Sequence, residues 1–127
     1  GIKVTVVITD NRGFGCINRL QRSTGGAEFN NLLDHAHHVN PSQIDFAAHA
    51  ASMGAHAEKV SSIAELEEAL ARAREADRPF VIVIDTDPYP STEAGGHWWD
   101  VAVPEVSQRD EVRKAREAYE AALKERN

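Results

Sequence analysis

The residues best equipped for chemistry are Asp10-Asn11-Arg12-Gly13-Phe14-Gly15, which directly follow the β-branched run Val4-Thr5-Val6-Val7-Ile8-Thr9. A run of that kind reads as a buried strand. A carboxylate, an amide and two glycines thus fall at a strand's carboxyl end, where open α/β sheets collect ligands. Oxygen donors there suit a hard cation such as Mg²⁺, and glycines let main-chain groups approach a phosphate. The plain alternative is a strand that ends in an ordinary Asp-Asn turn.

Other reactive side chains read more plainly. His35, His37 and His38 crowd one stretch, but no paired Cys or His-x₃-His spacing supports zinc, so they read as a solvated loop. His49 lies in an Ala-rich helix and reads as structural. Cys16 reads as a small packed side chain, since a nucleophile would need a lowered pKa and no base is near it in sequence. Asp85 and Asp87 follow a strand and read as turn residues. Trp98-Trp99 reads as a packing plug, with an apolar lid as the alternative.

The elements that must position these groups alternate. A strand spans 3–9, and a helix from about Gly13 to Arg22 places Cys16, Ile17 and Leu20 on one face. Residues 23–39 read as irregular, a length more often functional than inert. Asn40-Pro41 reads as the start of a helix with Ile44, Ala47, Ala48 and Ala51 inward and Gly54 at its end. His56–Val60 reads as a strand, and Ser62-Ile63-Ala64-Glu65 as a capping box. Its helix runs to about Asp77, burying Ile63, Leu66, Leu70 and Ala73, with Glu68 and Arg72 paired outside. Phe80–Asp85 is the most apolar stretch and reads as a central parallel strand covered on both faces. After a loop over 86–106, Ser107 caps a last helix to about Lys124, with Val112, Ala115, Tyr119 and Ala122 inward. The expected fold is α/β, an incomplete parallel sheet flanked by helices.

Composition narrows the function. The 127 residues suit a single domain, 1–127, with 42% hydrophobic and 27% charged residues. A formal charge of −6 with scattered Lys and Arg argues against nucleic acid. No run is apolar enough to cross a bilayer, so no membrane is expected. The single cysteine rules out a disulfide within the chain and fits a reducing, cytoplasmic setting.

Three segments carry a resemblance. They are Val7–Gln21 with its Gly13-Phe14-Gly15-Cys16-Ile17-Asn18, the stretch Ile44–Gly54 with Phe46-Ala47-Ala48, and Gly95-Gly96-His97-Trp98-Trp99-Asp100-Val101 with Pro104-Glu105-Val106-Ser107. Together they resemble the C-terminal part of the pyrophosphate-binding domain of thiamine diphosphate enzymes. The likeness is to the acetohydroxyacid synthase-like branch, and within it to the trihydroxycyclohexanedione hydrolases of inositol catabolism. The resemblance implies that Asn11 binds Mg²⁺ through its side chain and Gly13 through its carbonyl. It implies that Gly13, Phe14, Gly15 and Cys16 lie along the cofactor, while Asp10 replaces an asparagine that is not a ligand. It assigns no catalytic residue to this chain: the glutamate that activates the cofactor lies in another domain. The other metal aspartate, in a Gly-Asp-Gly motif, would lie upstream.

The implied function is hydrolytic cleavage of a carbon–carbon bond in a cyclic 1,2-dione, by a longer chain acting as a homo-oligomeric dimer or tetramer. The 127 residues alone would be inactive. The implied partners are the remainder of that chain, its other subunits and a small polyol-dione substrate, whose hydroxyls a neutral histidine of the 35–38 loop could bond. Two alternatives stand beside it. One is another thiamine-dependent reaction, acetolactate synthesis or semialdehyde decarboxylation. The other is a non-catalytic α/β module of receiver or flavodoxin type.

Overall fold

Strand β1 (Thr5–Asp10) pairs in parallel with β3 (Phe80–Asp85), which pairs in parallel on its other side with β2 (His56–Val60). The sheet order is therefore β1-β3-β2. The structure, a computed structural model, describes residues 2–40, 43–90 and 101–126. It divides into two compact units, Gly1–Asn11 with Val39–Asp87, and Arg12–His38 with Pro88–Asn127.

The first unit is built on β3. Side chains alternate across a strand, and here both sets are buried. Phe80 and Ile82 join Val60, Ala69 and Ala73, with Leu66 and Leu70 from α3 (Ile63–Glu75) packed against them. Val81 and Val83 join Ala50, with Phe46 and Ala47 from α2 (Phe46–Ser52). The expected α/β architecture and the central place of β3 are both present.

Strand β1 departs from the buried strand that its composition predicts. Val6 and Val7 point to opposite faces, yet are 42% and 41% exposed. The apolar run brings side chains to both faces, but α2 and α3 lie over β2 and β3, and β1 is an edge strand. Exposed apolar edges of this kind are where sheets gain further partners.

Local signals explain the helix boundaries. Asp45, not Asn40, caps α2: its carboxylate accepts from the Ala48 amide at 2.8 Å. Asp45 is extended and stands three residues before that donor, the geometry an N-cap requires. Pro41 lies outside the described residues. Ile44 precedes the helix and is exposed, and the inward residue is Ala50. At α3 the Ser62 hydroxyl accepts from the Glu65 amide at 3.2 Å. The returning arm shifts by one residue, because Glu65 accepts from the Ser61 amide at 2.7 Å and its hydroxyl at 2.9 Å. The Ser61 amide bond is the main reason the Glu65 carboxyl is held below its usual range. Ile63 is exposed, and small Ala69 and Ala73 take the inner face, so the helix can sit close to the sheet. Arg72 reaches Glu68 only at 3.8 Å but grips both oxygens of Glu58 at 3.0 and 3.1 Å. The fork geometry favours the latter.

The second unit holds α1 (Gly15–Ser23), a 3₁₀ turn (Leu33–His35) and α4 (Asp110–Arg126). Helix α4 starts three residues after Ser107, whose hydroxyl accepts from the Arg109 amide at 3.1 Å. Val112 is buried as expected. Gly25 has a φ of +79°, and a Cβ there would stand 2.4 Å from the Glu111 carbonyl, so only glycine fits this approach.

Ile82 is fully buried, whereas Val7 is not. Ile82→Ala is therefore expected to cost about 3 kcal/mol and Val7→Ala under about 1 kcal/mol. Urea unfolding of the two variants checks this; equal losses would contradict it.

Candidate functional site

The site is built from a turn and the helix it opens. Helix α1 begins after Phe14, which supplies no side-chain cap, and its first turn holds no acidic residue. The Phe14 carbonyl accepts the Asn18 amide at 2.9 Å, as a first helical bond should. The main-chain N–H groups of Gly15, Cys16 and Ile17 thus head a helix that no side chain caps among the described residues. Such an end is electrostatically suited to an anion, a phosphate included.

A second strand of chain shapes the turn. Arg12 has a φ of +56°, in the left-handed region. Its carbonyl accepts from the Leu33 amide at 2.9 Å, and the Phe14 amide donates to the Asn31 carbonyl at 2.7 Å. Gly13 and Leu32 form the antiparallel bridge between these bonds. A Cβ on Gly13 would lie 2.4 Å from the Asn31 oxygen and 2.8 Å from the Leu32 Cα. The close approach that demands glycine at 13 is made by the chain's own residues 31 and 32. The Phe14 amide is likewise already committed, while its side chain is 72% exposed. Gly15 is buried.

The remaining predicted residues are placed as follows. Asn11 is half-buried and closes the first unit, and it and Gly13 both engage further interactions. Cys16 is exposed, not packed, and Arg19 Nη2 donates to its Sγ at 3.1 Å. Helix α1 turns Gly15 and Asn18 inward, while Ile17 is exposed; the Cys16-Ile17-Leu20 stripe does not form its inner face. His49 is on the exposed side of α2. His37 and His38 are exposed, and among the described residues no group of His, Cys, Asp and Glu is arranged to hold a metal. Asp85 pairs with Lys59 Nζ at 2.9 Å. The Gly95–Asp100 segment with Trp98-Trp99 lies outside the described residues, and no described helix is long and apolar enough to cross a membrane.

A polar group escaped the sequence reading. Asn18 is fully buried, and its Nδ2 donates to Glu28 Oε1 at 2.9 Å. Glu28 also meets Arg22 Nε at 3.4 Å and His35 Nδ1 at 3.4 Å. His35 Nε2 lies 3.2 Å from the Tyr89 hydroxyl, and the Arg22 guanidinium sits 5.2 Å from the Tyr89 ring centre. The three-residue and four-residue spacings of Gly15, Asn18 and Arg22 on one helix face were the available signal.

Comparison with known proteins gives this geometry a class. Residues 1–84 match the family "Thiamine pyrophosphate enzyme, C-terminal TPP binding domain". The chain belongs to that family, and its three-stranded parallel sheet with flanking helices is an α/β fold of the kind expected. Among relatives, it is 38% identical over 91% of its length to "3D-(3,5/4)-trihydroxycyclohexane-1,2-dione hydrolase 2" of Bacillus cereus (strain ZK / E33L). It is 35% identical over 95% of its length to the 3D-(3,5/4)-trihydroxycyclohexane-1,2-dione hydrolase of Bacillus subtilis (strain 168), and 36% over 95% to that of Halalkalibacterium halodurans. The chain spans 19% of the length of each of these proteins. No solved structure matches. Family membership displaces the receiver or flavodoxin alternative.

Gly54 also has a positive φ, +92°, but a Cβ there meets nothing within 4 Å. Gly54→Ala should therefore cost only the backbone strain, about 1 kcal/mol, whereas Gly13→Ala should cost at least about 2 kcal/mol because backbone must move. Thermal unfolding of both variants tests this; a Gly13→Ala protein as stable as the parent would contradict the bridge.

Proposed function

We propose that this segment serves a longer hydrolase that uses thiamine diphosphate and Mg²⁺ to cleave a carbon–carbon bond of trihydroxycyclohexane-1,2-dione in myo-inositol catabolism. The observation that carries the reading is identity of 35–38% along 91–95% of the chain to relatives bearing that name. The uncapped end of α1 supports it, because a diphosphate is the type of anion that uncapped helical N–H groups accept. When bound, thiamine diphosphate supplies the carbanion chemistry that breaks such bonds.

This chain's own part is binding and orientation. The amides of Gly15, Cys16 and Ile17 offer hydrogen bonds to diphosphate oxygens. Asn11 offers an amide oxygen to Mg²⁺ and Gly13 a carbonyl, both hard donors. Both are neutral, so the ion's charge must be balanced by carboxylate or phosphate elsewhere. The exposed side chains of Phe14 and Cys16 would lie beside the bound cofactor. In this reading the catalytic acid or base belongs to another part of the longer polypeptide, and the 127 residues alone are inactive. The working form is a cytoplasmic homo-oligomer, a dimer or tetramer, and the half-exposed apolar faces of β1 are surfaces such assembly would cover. Acetolactate synthesis or semialdehyde decarboxylation is less favoured, because the Bacillus and Halalkalibacterium relatives are named for the dione.

The test is turnover of trihydroxycyclohexane-1,2-dione by the full-length polypeptide, with and without Asn11→Ala. Loss of one oxygen ligand should lower activity about tenfold or more at limiting Mg²⁺, with partial recovery at high Mg²⁺, the pattern of a removed metal ligand. A variant with unchanged activity at limiting Mg²⁺ would remove Asn11 from the metal. Absence of dione turnover in the parent would overturn the substrate.

A further inference from the structure

The Arg12–Phe14 turn makes two main-chain bonds to residues 31–33. A three-residue contact of that size does not order a loop by itself. What secures residues 31–33 lies on either side of them. Before them, Glu28 accepts from the buried Asn18 amide at 2.9 Å and meets Arg22 at 3.4 Å, both on α1. After them, His35 stands between Glu28 Oε2, at 3.4 Å, and the Tyr89 hydroxyl, at 3.2 Å. Asn31 itself donates from Nδ2 to Gln21 Oε1 at 2.5 Å. The loop is thus tied back to the helix that the turn opens.

We propose that Glu28 and His35 are positioning residues for the candidate cofactor turn. Their clasp presses Asn31-Leu32-Leu33 onto Arg12–Phe14 and so fixes the direction in which the first amides of α1 point. Neither residue touches the proposed ligand; each acts through the loop. Glu28 has a second duty. It is the partner of the Asn18 Nδ2, while Asn18 Oδ1 has no hydrogen-bond partner among the described residues. Removing Glu28 would leave a fully buried amide with neither end satisfied, which is costly. The His35 ring spans the clasp, with Nδ1 facing Glu28 Oε2 and Nε2 facing the Tyr89 hydroxyl. The link to the cofactor rests on the proposed function, whereas the clasp itself does not.

Hydrogen exchange in the 127-residue chain reads the clasp directly, because the Phe14 and Leu33 amides are the donors of the two turn bonds. His35→Ala should speed exchange at both by about tenfold, the effect of losing one hydrogen-bonded tie. The amides of Phe80 and Thr86, which donate to Val4 and Asp10 in the first unit, should not change. His35→Asn places a donor where Nδ1 stood and should restore most of the protection. Glu28→Gln keeps an acceptor for Asn18 and should loosen the turn without unfolding the unit. Unchanged exchange at Phe14 and Leu33 in His35→Ala would overturn the clasp, as would failure of His35→Asn to restore it. In the full-length polypeptide, His35→Ala should weaken Mg²⁺–thiamine diphosphate binding about tenfold by calorimetry. Loosened amides with unchanged affinity would overturn the link to the cofactor. A parent that binds no cofactor would overturn the proposed function while leaving the clasp intact.

Discussion

The candidate site depends on a main-chain contact between two short segments. The Phe14 amide and the Arg12 carbonyl are both spent on residues 31 and 33. That pairing leaves no room for a side chain at position 13, sets Arg12 in the left-handed region, and launches α1 with no capping side chain. The features that look like ligand chemistry in the sequence, a glycine turn followed by a helix, are first of all consequences of this fit. The turn's inner hydrogen-bonding groups face the chain's own loop. Among the described residues, the next amides, at the head of α1, have no side-chain acceptor. A helix end without a side-chain cap costs the fold something, since helix ends normally find partners.

The first unit follows a different logic. Strand β3 is apolar at every position from Phe80 to Ile84, and both sets of its side chains are covered, one by α3 and one by α2. Strand β1 carries nearly the same composition without the same cover. The two strands show that a β-branched run reports how much apolar surface a strand brings, while the number of neighbours it meets depends on what else is present. Strong internal pairing and an open apolar edge coexist in the same small sheet. That fits a segment covering about a fifth of the length of its relatives.

Much of this architecture is legible in residue order. The alternation of strands and helices, the parallel sheet, the central place of Phe80–Asp85 and the bounds of His56–Val60 follow from apolar period and turn residues, which are local. Helix starts are less legible where two capping residues compete: Asn40-Pro41 and Asp45 both qualify, and only the position of the Ala48 amide decides. The inner face of α1 is misleading in sequence, because apolar residues at helical spacing point to Cys16, Ile17 and Leu20. The buried polar Asn18 prevails because Glu28, ten residues away, satisfies its amide. Distance in sequence also hides the clasp, since His35 and Tyr89 are 54 residues apart. No spacing rule reaches across that gap.

Whether the open end of α1 receives a diphosphate can be measured directly. Amide chemical shifts of the isotopically labelled 127-residue chain, titrated with Mg²⁺–thiamine diphosphate to millimolar concentration, report this even when affinity is weak. The amides of Gly15, Cys16 and Ile17 should move together and saturate on one binding curve, while the Phe14 amide, already bonded to Asn31, should move least. Shifts confined to other parts of the chain, or none at those three amides at saturating cofactor, would contradict the account.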